Sequence, residues 1–172
     1  FAKYTSSATG TNSTTVAKWD IRVNGANITT SDTFNFDLFN TVNDTKDGNT
    51  EWDMLPNNGD IIAPGTRGSF DIVIKNDSEV NAKYAINYTV TNNDNIPVEF
   101  STNGTAWTTN INDLDVADVQ IGLGTDTTVT VQWRWVFDGN DATDTSLGSA
   151  ASVPSSAATL TVEAKVTATQ VD

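Results

Sequence analysis

Neither cysteine nor histidine occurs anywhere in the 172 residues. Without cysteine the chain has no disulfide, no thiol nucleophile and no thiolate metal site. Without histidine it can build no Ser-His-Asp triad, no Cys-His pair and no HExxH zinc helix, so no enzymatic activity is expected. Basic residues are few: nine Lys and Arg stand against 22 Asp and Glu, leaving a net charge of −13. Such a surface repels nucleic acid and anionic membranes, and copies of it associate only where contacts or divalent cations offset the repulsion. No apolar run approaches the ~20 residues that span a bilayer. The first residue is Phe1, not Met, so a cleaved leader and an extracellular location, at the cell surface or in a matrix, are expected.

Hydrophobic residues at 37% and charged residues at 18% are both low for a globular domain, and Thr, Asn, Asp, Ser and Val fill the difference. Thr and Val suit pleated strands, while Asn, Asp, Ser and Gly suit turns. Period-two alternation recurs along the chain. In residues 15–23, Ala17, Trp19, Ile21 and Val23 share a face, and Asn24-Gly25 follows as a hairpin turn. Phe34, Phe36 and Leu38 alternate next, then Phe70, Ile72 and Ile74, then Tyr84, Ile86, Tyr88 and Val90. Residues 96–101 and 119–123 read as short strands, and Val129, Val131, Trp133 and Trp135 mark a long one. Leu160, Val162, Ala164, Val166 and Ala168 close the series. Residues 40–59 read as a polar loop pinned by Trp52, Met54 and Leu55, and residues 138–156 as a second polar loop. Eight to ten short strands, with no amphipathic helix, predict an all-β fold: a single jelly-roll or immunoglobulin-like sandwich with long polar loops.

Several residues carry candidate chemistry. Asp138, Asn140, Asp141 and Asp144 place oxygen ligands at the short spacing that wraps Ca²⁺, although the closing bidentate Glu is missing. Asn12, Asn27, Asn43, Asn76, Asn87 and Asn103 each open an Asn-x-Ser/Thr acceptor sequence for a glycan. Trp107, Trp133 and Trp135 would serve as a carbohydrate platform, or simply as core. Acid pairs such as Asp113 and Asp115 would suit glycoside hydrolysis only across a cleft that nothing in the sequence places. A monomeric secreted module for carbohydrate or calcium is therefore one functional expectation. The segment ahead of residue 15 supplies another. Its small polar residues, Ser6, Ser7, Gly10 and Ser13, suit a strand that pairs at home or one that adds to an open edge of a neighbouring copy.

The order of several segments resembles one family. FAKYTSSATGT at the start, VAKWDIRVNG at 16–25, IAPGTRGSFDIVIKN at 62–76, QWRWVFDGNDATDTSLG at 132–148 and LTVEAKVTATQVD at the end resemble TasA/camelysin-like secreted proteins of biofilm-matrix fibres, relatives of archaeal bundling pili. The resemblance spans nearly the whole chain. It implies export, a jelly-roll-like sandwich, and head-to-tail homopolymers by donor-strand complementation, with neighbouring filaments in bundles as further partners. It implies that residues 1–14 form a donor strand and hinge, and residues 15–172 the sandwich. The donor residues are then Phe1, Ala2, Lys3, Tyr4, Thr5, Ser6, Ser7 and Ala8. The metalloprotease activity ascribed to the camelysin branch does not carry over to a chain without histidine.

Overall fold

A computed structural model describes residues 3–41 and 60–172. Phe1, Ala2, Asn43, Trp52, Met54 and Leu55 lie outside the described residues. The fold is an all-β sandwich of two antiparallel sheets. Its strands are β1 (Ile21–Val23), β2 (Ala26–Asn27), β3 (Arg67–Asn76), β4 (Ala82–Thr91), β5 (Val98–Ser101), β6 (Val116–Ile121), β7 (Asp126–Trp135) and β8 (Thr161–Gln170). One helix, α1 (Asp141–Ala150), joins β7 to β8. One sheet has the order β2-β1-β3-β7-β5 and the other β6-β4-β8. From β3 to β8 every successive strand switches sheets, so each connection arches over an end of the sandwich.

Alternation explains the core. The inward residues Ile72 and Ile74 of β3, Val131, Trp133 and Trp135 of β7, and Tyr84, Ile86 and Tyr88 of β4 are all buried. Their outward neighbours, among them Asp71, Lys75, Asn87 and Thr89, are exposed. Asn24 and Gly25 both take positive φ, 48° and 84°, which matches the two-residue turn expected of an Asn-Gly pair and closes β1 onto β2.

The structure corrects three sequence expectations. The first strand is only Ile21–Val23, because β1 pairs with Ile74, Lys75 and Asn76 and β3 ends there. Residues 18–20 instead run along the turn after β3. Asp77 N donates to Asp20 O at 2.9 Å, Asp20 N to Ser78 Oγ at 2.8 Å and Glu79 N to Lys18 O at 3.0 Å. Residues 33–39 form no ladder, yet Phe34, Phe36 and Leu38 do turn inward as their spacing demands, with Phe36 edge-on to Phe70 at 5.4 Å. The expected polar loop at 138–156 holds α1 and a 3₁₀ turn at Pro154–Ser156. Asp141 and Asp144 in its first turn suit the helix dipole. Only Leu147 reaches the core, so the helix has no apolar stripe for periodicity to reveal.

Candidate functional site: an open sheet edge and an unpaired arm

Residues 3–19 are exposed and form no strand. Tyr4 is 95% exposed and Val16 94%, unusual for an aromatic and a β-branched side chain. No hydrogen bond ties residues 3–13 to any described residue, and the hydroxyls of Thr14 and Thr15 reach only the next carbonyl. The first anchor is Lys18 N, which donates to Glu79 Oε2 at 2.7 Å. Below it, Arg22 bridges Asp20 at 3.1 Å and Asp77 at 3.2 Å, and Lys75 meets Asp77 at 2.9 Å. These contacts pull Asp77 below the usual carboxylate range, chiefly through the hydrogen bond from Lys75, and raise Arg22 further through Asp20. The arm thus leaves a charge-clamped root and then has no hydrogen-bonded partner among the described residues.

The three-stranded sheet has two edges, and they differ. β6 is short, and its register against β4 shifts between Tyr84 and Ile86. Asp118 there takes φ 49° and meets Lys83 at 3.5 Å. A bulge with a charged pair is a standard protection of an edge strand. β8 has neither. All ten of its residues pair regularly with β4, and no other described strand lies beyond it. Its inward side chains Val162, Ala164, Val166 and Ala168 are only half-buried, whereas Ala82, Tyr84, Ile86 and Tyr88 on the neighbouring β4 are fully buried. Among the described residues, the apolar row of β8 has cover on one side only.

A cavity of about 670 Å³ opens at the start of this edge. Phe36, Leu38, Leu160 and Val162 line it, and Leu147 of α1 contributes from above. α1 is tied down by Trp135 Nε1, which donates to Asp144 Oδ1 at 3.1 Å. Burial raises the Asp144 carboxyl above its usual range, against the opposing effect of that hydrogen bond.

The other sequence candidates distribute as follows. Asp138 and Asn140 precede α1, and Asp141 and Asp144 sit in its first turn; among the described residues no three or more acidic side chains converge as a metal-holding group. Trp133 and Trp135 are core side chains, which removes them from any exposed platform. Trp107 alone lies outside the core, half-buried, with the Arg134 guanidinium 4.1 Å from its ring centroid. Asp113 accepts from Thr108 and Asn110, and Asp115 from Tyr88 N and Asn87, so both acids serve local structure. Asn12, Asn87 and Asn103 are exposed and Asn27 is half-buried in β2. Asn76 is fully buried, with Nδ2 donating to both Val80 O and Ile121 O, so a glycan there is incompatible with the fold. The sequence did not mark β8 as an edge, because a strand's place in a sheet has no signature in its own alternation.

No helix among the described residues is long and apolar enough to cross a membrane. Compared with protein families, curated proteins and solved structures, the chain matches none.

Proposed function

We propose that this protein is the structural subunit of an extracellular filament that grows head to tail by strand exchange: the arm of one copy adds to the β8 edge of the next. The observation that carries the reading is the pairing of two incomplete parts in one molecule. Among the described residues an exposed arm has no hydrogen-bonded partner, and a ten-residue edge strand has a half-covered apolar row. Adding a strand satisfies a line of backbone donors and acceptors and covers alternate side chains. Four or five covered side chains contribute roughly 5–10 kcal/mol of gross hydrophobic free energy before ordering costs.

The bulged, charged β6 edge favours one acceptor per subunit, and one donor with one acceptor makes a linear polymer rather than a network. The resemblance to TasA/camelysin-like matrix proteins points the same way. So does the charge of −13, which keeps free subunits apart until a specific contact forms.

Deletion of residues 1–11 tests the reading. The expected product is a folded monomer that forms no filament by electron microscopy or sedimentation. Filaments of unchanged length from the deleted chain overturn the proposal.

A further inference from the structure

The strand-exchange reading leaves the direction of the incoming arm open, and the shape of the groove decides it. At the end of β8 near Gln170, which pairs with Ala82, the opposing sheet is at its widest. There β1 and β2 lie beyond Ile74, Lys75 and Asn76. At the start of β8 no described strand lies beyond the first half of β3; among the described residues, 34–39 fill that flank beside the apolar cavity at Leu160 and Val162. The apolar cavity therefore makes the start of β8 the roomier end for an incoming side chain.

The arm itself tapers. From Lys3 to Thr15, Tyr4 is the only large apolar side chain, and on its face it is followed by Ser6, Ala8 and Gly10. Residues 4–13 match the ten residues of β8 in length, about 33 Å of strand. Tyr4 meets the cavity, with the rest of the arm lying along β8, only when the arm runs parallel to β8. Asp37 and Asp60 at the cavity's border add carboxylate acceptors for a phenol.

We infer that the arm of a second copy lies parallel to β8, with Tyr4 seated in the cavity formed by Phe36, Leu38, Leu160 and Val162. The inference rests on the strand-exchange reading. In this arrangement Thr5 points outward beside Thr161, which is exposed at the start of β8, while Thr169 lies at the opposite end. Tyr4 is the anchor, and the small residues after it act as spacers.

Because the chain has no cysteine, paired cysteines report the direction without background. Two full-length double variants are compared on non-reducing gels after assembly and oxidation: Thr5→Cys with Thr161→Cys, and Thr5→Cys with Thr169→Cys. The expected result is a ladder of covalent multimers from the first pair and none from the second. A ladder from the second pair alone overturns the parallel direction and leaves strand exchange standing. A covalently closed monomer from the first pair, without multimers, keeps the direction and refutes head-to-tail exchange. Filaments with no crosslink in either variant overturn the β8 edge itself.

Where the cysteines block assembly, a side-chain series decides. Tyr4→Ser should raise the concentration needed for filaments at least tenfold, Tyr4→Phe less than threefold, and Ala8→Ser less than threefold. Equal effects from Tyr4→Ser and Ala8→Ser overturn the anchor.

Discussion

Asn76, the last residue of β3, donates through Nδ2 to Ile121 O, the last residue of β6, at 3.2 Å, and so ties the two sheets together at one end of the sandwich. The same nitrogen donates to Val80 O at 2.9 Å, and Oδ1 accepts from Ser78 N at 3.0 Å. The side chain is fully buried. Removing it strands two carbonyls and one amide in a place that water reaches poorly, at about 1–3 kcal/mol for each group that finds no new partner. Asn76→Ala should therefore lower unfolding stability by about 2–4 kcal/mol, read from denaturant melts of the body lacking residues 1–11. Asn76→Asp should be worse, because a carboxylate would face the two carbonyls. A loss below about 1 kcal/mol for Asn76→Ala would show that water replaces the amide.

Gly104 offers a test on the outer face of the same sheet. Its φ is +73°, and a Cβ there would stand 2.9 Å from Gln132 Oε1. The left-handed backbone costs a non-glycine residue about 1–2 kcal/mol, whereas the Gln132 terminus can swing aside. Gly104 O also accepts from Trp107 Nε1 at 3.2 Å, beneath the stacked Arg134. Gly104→Ala should destabilise by about 1–2 kcal/mol and change the near-ultraviolet signal of Trp107. Arm-dependent assembly should persist, because this turn lies away from β8. An unchanged melt would mean that the turn relaxes to a different backbone.

Acid should weaken the root of the arm. Lys75 and Arg22 hold Asp77 below its usual range, so its folded pKa lies under the unfolded value of about 4. The ionised carboxylate therefore stabilises the fold above the unfolded pKa, and that stability is lost as pH falls through the depressed folded value. Asp144 has the opposite sign: burial raises its pKa, so protonation in the same range favours the folded form. The melting temperature of the body should fall between pH 5 and pH 3, with a shallower fall in Asp77→Asn and a steeper one in Asp144→Asn. Parallel curves for all three proteins would remove both carboxylates from the account.

How legible these features were depended on whether their cause was local. The faces of β3, β4, β7 and β8 follow from alternation, and the β1–β2 turn from Asn24-Gly25, because side-chain period and turn chemistry act within a few residues. Residues 33–39 show the boundary of that reasoning. Phe34, Phe36 and Leu38 chose the correct face, but a ladder needs a neighbouring strand that the pattern cannot report. Trp19 failed for the same reason, since β3 ends before it. Helix α1 was hidden because Leu147 alone contacts the core. In the candidate site, the arm was legible as small polar residues around Tyr4. The bare edge of β8 was not, because it is set by strand order, a long-range property.

A synthetic peptide offers the most direct test of the edge. The sequence of residues 1–11 carries Tyr4, Ser6, Ala8 and Gly10 in the order the groove requires. Added to the body lacking those residues, it should bind beside β8 and stabilise the folded state by mass action, about 2.7 kcal/mol at a hundred times its dissociation constant. For a domain of this size that corresponds to a rise in melting temperature of roughly 5–10 °C. The same peptide added to the full-length chain should shorten filaments, because it occupies acceptors without supplying a further donor. A peptide of reversed sequence keeps the composition but moves the tyrosine to the other end, so it should do neither. Equal stabilisation by both peptides would reduce the effect to non-specific binding of an apolar side chain, and no stabilisation by either would leave the β8 edge without the partner proposed for it.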